Sequence, residues 1–72
     1  MEVFANRLKE LRKTFGISQK ELAKKCGLSL GGIQGYEQQV NSPISEALIK
    51  LANFFNVSTD YLLGLSDIPD RR

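Results

Sequence analysis

The groups best suited to binding chemistry are cations gathered at the start of the chain. Residues 1–25 hold seven lysines and arginines against three carboxylates, a local charge of +4, whereas residues 26–72 carry a local charge of −2. A basic segment of this kind can meet phosphate groups. It can equally form the solvated face of a helix. The charge pattern alone leaves both interpretations open.

Residues suited to covalent or metal chemistry are scarce. The chain has no histidine and a single cysteine, Cys26, which excludes an internal disulfide and argues against a zinc site. It contains no nucleophile elbow, no phosphate-binding glycine loop and no evident pair of carboxylates in a cleft. We therefore expect neither catalysis nor a cofactor.

Length and composition indicate one soluble domain. Seventy-two residues leave room for a single domain, and 42% hydrophobic with 25% charged residues is ordinary for a globular fold. No apolar run approaches the roughly 18 residues of a membrane span, and the N-terminus "MEVFANRLKELRK" has no signal-peptide core. We expect a cytoplasmic protein without membrane attachment.

The segment "SLGGIQGYEQQ", residues 29–39, combines helical spacing with three glycines. Glycine in a helix interior costs about 1 kcal/mol relative to alanine, because it loses the most backbone freedom on folding. The first two glycines fall in the opening turn, where this penalty is smaller. The reason for all three must lie in what the segment contacts.

Four serines follow an apolar residue and precede another apolar residue by four positions, a pattern typical of a helix start. Glu21, three residues after the first of these serines, completes a capping box. With the apolar periodicity between them, the starts predict five helices, the first about residues 3–14 and the third about 29–39. The four start patterns are Ile17-Ser18-Leu22, Leu28-Ser29-Ile33, Ile44-Ser45-Ile49 and Val57-Ser58-Leu62.

The second and third predicted helices are joined by a link so short that they must cross steeply. The second helix ends at "KKCG", and Ser29 begins the next one two residues later. Gly27 can supply the left-handed backbone that such a corner needs. Ala23 permits a close approach, and Ile33 packs from the other helix. This arrangement predicts a helix-turn-helix motif.

The chain resembles the phage-repressor-like (Cro/C1-type, XRE-type) helix-turn-helix proteins. The matching segments are "RLKELRKTFGISQKELAKKCGLS", "YE" and "SPISEALIKLANFFNVSTDYLLG", which span most of residues 6–64. The resemblance implies an all-α, compact five-helix lambda-repressor-like domain over residues 1–64, with residues 65–72 as a tail or the start of a linker. The register agrees at Gln19, Ala23, Gly27, Ile33, the Tyr36-Glu37 pair and Pro43.

The resemblance also implies that the domain binds double-stranded DNA with its third helix in the major groove. The positions that read bases in this family are Leu30, Gly31, Gln34, Gly35 and Gln38. Those that bind phosphates are Ser18, Gln19, Asn41 and Ser42. Free amides at the start of the second helix favour an anion there, and Lys20 would add a salt-sensitive charge. Arg12 and Glu37 occupy the positions of a structural ion pair.

The sequence departs from the family at the reading face. Members usually carry long polar or basic side chains where this chain has Leu30, Gly31 and Gly35. In one interpretation the glycines let the helix enter the groove deeply, Leu30 contacts a thymine methyl and a glutamine pairs with adenine. In the other, the reading face has been lost and the fold serves another partner. Gln39 stands where the family often has glycine, which leaves the end of the third helix open.

We expect a transcriptional regulator, a repressor, that forms a homodimer. Members of the family commonly dimerise through the C-terminal helices, and this end holds more apolar residues than one small core needs. The alternative function is a protein-interaction module, or an antitoxin-type partner, that keeps the fold with a weakened DNA-reading face. The apolar residues concerned are Phe54, Phe55, Leu62, Leu63, Leu65 and Ile68.

Overall fold

The computed structural model describes residues 2–70, and in that range it contains five α-helices and no strand. The expected all-α, five-helix architecture is confirmed. Residue 1 of the predicted domain and residues 71 and 72 of the predicted tail lie outside the described residues. No helix between residues 2 and 70 combines the length and apolarity needed to cross a bilayer. The helices are α1 (Glu2–Thr14), α2 (Gln19–Cys26), α3 (Leu30–Glu37), α4 (Ser45–Phe55) and α5 (Thr59–Leu63).

Serine side chains begin three of the helices, as predicted. Ser18 Oγ accepts a hydrogen bond from the Glu21 amide at 3.0 Å, and the Ser18 amide donates to Glu21 Oε1 at 3.1 Å, which completes the capping box. Ser29 and Ser58 each accept from the amide three residues later, also at 3.0 Å. The hydrogen bonds from Ser18 hold the pKa of the Glu21 carboxyl below its usual range.

The fourth serine does not cap its helix, so this prediction was wrong. Ser45 is the first helical residue of α4, and Ile44 occupies the cap position with an extended backbone. The prediction required an apolar contact between Ile44 and Ile49 to hold the chain outside the helix. These side chains are 70% and 50% exposed, so no buried contact fixes Ser45 in the cap position.

The hydrophobic core joins all five helices. Cys26 on α2 belongs to it, and burial raises the pKa of its thiol. Each fully buried aliphatic or aromatic side chain stabilises the fold by about 1.5–3 kcal/mol relative to an exposed one. Every helix contributes at least one such residue. The largest fully buried side chains are Phe4 and Leu8 of α1, Leu22 of α2, Ile33 of α3, Leu51 of α4 and Leu62 of α5.

The segment after α5 is bonded back to α1. Arg7 donates to the backbone carbonyl of Tyr61 and, at 2.7 Å, to that of Ser66. Its guanidinium lies 4.1 Å from the centre of the Tyr61 ring and pairs with Asp67 at 2.9 Å. Residues 65–70 therefore follow the surface of the domain, and the domain boundary drawn from the sequence remains a prediction.

Candidate nucleic-acid interface

The turn between α2 and α3 has the geometry that the sequence predicts. Gly27 takes a left-handed conformation with φ of 67°, which is strained for a residue with a side chain. The Leu28 amide then donates to the Ala23 carbonyl at 2.8 Å. Ala23 and Ile33 are both buried in the shared core. The two helices thus form the expected helix-turn-helix motif.

The N-terminus of α2 is a polar, solvent-facing end. The amides of Gln19 and Lys20 have no acceptor within the helix, because the carbonyls four residues earlier in the chain lie outside it. Their dipoles give this end a partial positive charge, and the Lys20 side chain is exposed beside it. The Ser18 hydroxyl accepts from Glu21 and retains its own proton for donation. The end is suited to a phosphate oxygen.

A buried carboxylate ties α1, α2 and α3 together. Glu37 is 4% exposed and accepts from Arg12 through both oxygens, at 2.8 Å from Nε and 3.1 Å from Nη2. The hydrogen bond with Glu37 raises the pKa of Arg12. Gln19 Nε2 donates to the same carboxylate at 3.0 Å. The ion pair expected from the sequence is present, and Gln19 is a third member that the sequence did not predict.

The contact with Glu37 fixes the position of the Gln19 amide. One N–H of Nε2 is used by the carboxylate, and the other is available to an acceptor outside the protein. The two residues are 18 positions apart, and no periodicity links positions so distant in the sequence. The same contact sets the start of α2 beside the C-terminal end of α3.

The exposed side of α3 carries amides and apolar atoms but no charge. Leu30, Gln34 and Gln38 recur every four residues and are exposed, so they lie along one side of the helix. Gly31 is exposed beside them. Between Leu30 and Glu37 the one charged residue is Glu37 itself, which is buried in its ion pair.

The three glycines of α3 have three different surroundings. Apart from its chain neighbours and the backbone of its own helix, a Cβ at Gly31 would meet no heavy atom of the described residues within 4 Å. At Gly32 it would lie 3.0 Å from Oγ of Ser29, the atom that caps the helix. At Gly35 it would collide with the side-chain nitrogen of Asn41 and lie 2.9 Å from its Cγ. A side chain at position 35 would therefore force Asn41 to shift, one at 32 would press on the capping serine, and one at 31 would meet no other element.

Gly35 has a packing role that the sequence did not predict. It is buried beneath the loop that follows α3, and its carbonyl accepts from the amides of Val40 at 2.9 Å and Asn41 at 3.1 Å. The missing side chain makes room for Asn41. A base contact at Gly35 remains a prediction, and any such contact would have to share the site with the Asn41 side chain.

The helix α3 ends earlier than the predicted residue 39. It stops at Glu37, and Gln39 takes a left-handed conformation with φ of 64°, the conformation that glycine adopts most easily. The following loop exposes Asn41 and Ser42. The loop and Gln19 thus both lie near the C-terminal end of α3, whereas Leu30 lies roughly 10 Å away along the helix axis.

The C-terminal apolar residues divide between core and surface. Ile49 of α4 and Ile68 line one groove of about 370 Å³, and each is about half exposed, at 50% and 51%. Leu65 is 74% exposed. Ile49, Leu65 and Ile68 are thus apolar side chains outside the core, and much of the remaining lining of the groove is polar. Of the remaining residues, Phe55 and Leu62 are buried, and Phe54 and Leu63 are half-buried.

Comparison with known sequences identifies relatives of this arrangement. Residues 8–62 match the family model described as helix-turn-helix. The HTH-type transcriptional regulator ImmR of Bacillus subtilis (strain 168) is 44% identical over 65 residues, which cover 90% of this chain and 51% of ImmR. The cryptic phage CTXphi transcriptional repressor RstR of Vibrio cholerae is 34% identical over 58 residues, 81% of this chain and 52% of RstR. The chain spans about half the length of the curated relatives it matches.

Two solved structures share the fold over nearly their whole length. The N-terminal DNA binding domain of SinR from Bacillus subtilis is 30% identical, with a TM-score of 0.82, and the match covers 88% of this chain and 93% of that domain. The P22 c2 repressor protein, in complex with synthetic operator 9T, is 31% identical, with a TM-score of 0.80 and coverage of 86% and 94%. With its helix-turn-helix geometry and the family match over residues 8–62, the chain belongs to the helix-turn-helix family, of the phage-repressor-like (Cro/C1-type, XRE-type) kind.

Proposed function

We propose that this chain is a sequence-specific, double-stranded DNA-binding transcriptional regulator that acts as a repressor in the cytoplasm, with α3 in the major groove. The observation that carries the proposal is the contact between Gln19 and Glu37, which holds the open start of α2 beside α3. The named relatives, transcription regulators and not enzymes, support the same function. The operator bound to the P22 c2 repressor, a structural neighbour, supports it as well.

In this proposal, backbone contacts and base contacts come from different elements. Ser18, Gln19 and Lys20 bind phosphates at the start of α2, and Asn41 and Ser42 bind them from the loop after α3. Phosphate contacts of this kind fix the register on the duplex but carry no sequence information. The sequence is read by α3, mainly through exposed Leu30, Gln34 and Gln38, and by the bare backbone at Gly31.

The one carboxylate of α3 does not oppose this docking. A charged glutamate on a helix in the major groove would repel the phosphates on either side of it. Glu37 is buried, and its charge is compensated by Arg12 at 2.8 Å. The net effect is a reading helix whose exposed surface is neutral between two phosphate-binding segments.

We further propose that two copies associate through the C-terminal apolar surface formed by Ile49, Leu65 and Ile68. All three side chains are half exposed or more, and two of them line one groove. A two-fold dimer would place its two α3 helices about 34 Å apart, one turn of the duplex. The expected operator is therefore two half-sites of opposite orientation, bound by two chains.

The alternative is a protein-interaction module, or an antitoxin-type partner, in which the same fold no longer reads DNA. The uncharged face of α3 is the feature that favours it. The two functions differ in their response to salt. A protein that neutralises phosphates shows a log–log slope of affinity against salt near −0.9 per contact, whereas a protein partner imposes no such slope.

The test is a salt titration of duplex binding by the wild type and two matched variants. Lys20→Gln and Lys25→Gln remove the same charge from α2, and both lysines are exposed; Lys20 stands at the start of the helix, whereas Lys25 lines a groove with residues of α4. We expect Lys20→Gln to reduce the slope by about 0.9 per bound chain and Lys25→Gln to leave it unchanged. Binding of two chains per selected operator would support the dimer. A wild type that ignores duplexes in dilute buffer would overturn the proposal.

A substitution of Gln19 by glutamate is not a clean test of phosphate binding. The new carboxylate would take the place of an amide that donates to Glu37 at 3.0 Å. Two carboxylates in contact repel each other, so the variant would destabilise the fold as well as the interface. The lysine pair avoids this ambiguity because neither lysine contacts the buried ion pair.

A further inference from the structure

We propose that Gly35 is a positioning residue for phosphate binding and not a reader of bases. It holds the side chain of Asn41 against α3, so that Asn41 meets the duplex backbone at a fixed distance from the reading side chains. The inference rests on the proposed DNA binding, and it changes the role that the family resemblance implies for residue 35.

Gly35 belongs by its spacing to the outer face of α3, yet it is not open to solvent. Residues three and four positions apart on a helix are neighbours, so Gly31, Gln34, Gly35 and Gln38 form one patch. The other three residues are exposed, whereas Gly35 is buried. The three atoms nearest to a Cβ at position 35 all belong to Asn41, whose side-chain nitrogen it would strike and whose Cγ would lie 2.9 Å away. The side chain of Asn41 therefore takes the space that a reading side chain at position 35 would occupy.

The backbone of the loop brings Asn41 to this place. The carbonyl of Gly35 accepts hydrogen bonds from the amides of Val40 at 2.9 Å and Asn41 at 3.1 Å. Gln39, with φ of 64°, turns the chain back towards α3. The main chain and the side chain of Asn41 are thus both placed against a single residue of α3. Asn41 is nevertheless exposed, so its amide is accessible to a phosphate oxygen.

The other phosphate-binding segment is tied to the same end of α3. Gln19 Nε2 donates to Glu37 at 3.0 Å, and Glu37 lies two residues after Gly35. The last turn of α3 therefore holds two amides that the proposed function assigns to phosphates, one from α2 and one from the loop. Because phosphate contacts set the register of a protein on the duplex, these two contacts would fix how α3 lies in the groove.

The experiment compares the affinities for two duplexes in dilute buffer, one selected by the wild-type chain from a random pool and one of scrambled sequence. Each variant is measured at a temperature at which circular dichroism shows it to be folded. We expect Gly35→Ala to bind both duplexes about tenfold more weakly per bound chain, the lower end for a hydrogen bond to a charged group. The ratio of the two affinities should stay unchanged, because phosphates carry no sequence information. The matched control is Gly32→Ala, whose methyl would meet Ser29 at 3.0 Å and not Asn41, and it should keep the wild-type affinity.

Asn41→Ala separates positioning from a purely structural effect of Gly35. Alone it should cause the same tenfold loss on both duplexes. Combined with Gly35→Ala it should cause no further loss, because the glycine acts only through the asparagine. The single variant also decides the matter if Gly35→Ala does not fold, since wild-type affinity of Asn41→Ala for both duplexes would overturn the inference.

Three other outcomes would overturn it. Losses that multiply in the double variant would show that the two residues act separately. A folded Gly35→Ala with wild-type affinity would show that the glycine serves the fold alone. A changed ratio between the selected and the scrambled duplex would show that residue 35 reads a base. Each of these results leaves the proposed function standing, and only a wild-type chain that binds neither duplex removes both.

Discussion

The two helix starts on the proposed DNA face, those of α2 and α3, are built differently. At the start of α2, Ser18 and Glu21 form a complete capping box, and Gln19 is held by Glu37. At the start of α3, Ser29 supplies one capping hydrogen bond, and no acidic residue follows in the first turn. The polar groups at the start of α2 are thus held in place by other residues of the protein, whereas the start of α3 has a single capping hydrogen bond.

The difference follows from what each surface would bind. Phosphates have the same geometry at every step of a duplex, so a fixed set of donors at α2 fits them all. Base edges differ from step to step, and the start of α3, which carries no charged side chain, can suit one particular base edge. The predictions below separate the two surfaces, beginning with the anchoring of α2.

Loss of Arg12 is expected to have the largest effect, because it leaves Glu37 buried without its cation. Arg12→Met should lower the free energy of unfolding by about 3 kcal/mol, at the lower end for a broken buried pair because Gln19 still donates to the carboxylate. Urea denaturation measures it. Lys13→Met, an exposed cation on the same helix, should change stability by less than about 0.5 kcal/mol.

The double variant Arg12→Met/Glu37→Leu separates charge from packing. Replacing both members of a buried ion pair by apolar residues is often neutral, so it should recover most of the loss seen in the single variant. A double variant no more stable than Arg12→Met would mean that packing around the arginine, and not the uncompensated carboxylate, holds α1 and α2 to α3.

Gly35→Ala is expected to have an intermediate effect. The added methyl would meet the Asn41 side chain and destabilise the fold by about 1–3 kcal/mol. In a domain of this size each kcal/mol lowers the thermal midpoint by about 4–8 °C. Adding Asn41→Gly to this variant should restore most of the midpoint. If Gly35→Ala has the same thermal midpoint as the wild type, the packing of the loop over α3 does not require the glycine.

The smallest effect is expected at the capping box, as a function of pH. The hydrogen bonds from Ser18 lower the pKa of Glu21 in the folded state, so its carboxylate stabilises the fold above the ordinary value of 4.5. This contribution is lost as the pH falls through the lower folded value. Glu21→Gln keeps the shape of the side chain without its charge. The thermal midpoint of the variant should therefore be lower than that of the wild type at pH 7 and approach it at lower pH. A difference that is the same at every pH would exclude the charge as its cause.

The start of a helix was predictable from the sequence where it depends only on residues within one helical turn. The caps at Ser18, Ser29 and Ser58 depend on residues within three or four positions, and all three are confirmed. The cap at Ser45 was wrong because it required an apolar contact that only the packed molecule decides. The fold class followed from the same local signals, together with the resemblance.

The site was predictable in outline but not in its internal contacts. The resemblance named Gln19 and Asn41, but spacing alone does not show that Gln19 reaches Glu37 or that Asn41 lies over Gly35. Both contacts join elements that are distant along the chain or fold back over it. The structure therefore supplies what the sequence lacks here, a packing reason for Gly32 and Gly35.

The arginine that joins the first helix to the last segment has a consequence for assembly. Arg7 holds residues 65–70 along the domain, and Ile68 lies within that segment. The wall of the C-terminal groove is then shaped in the single subunit, before any second copy arrives. The entropy lost in ordering this stretch is then a cost of folding and not of the proposed association of two copies.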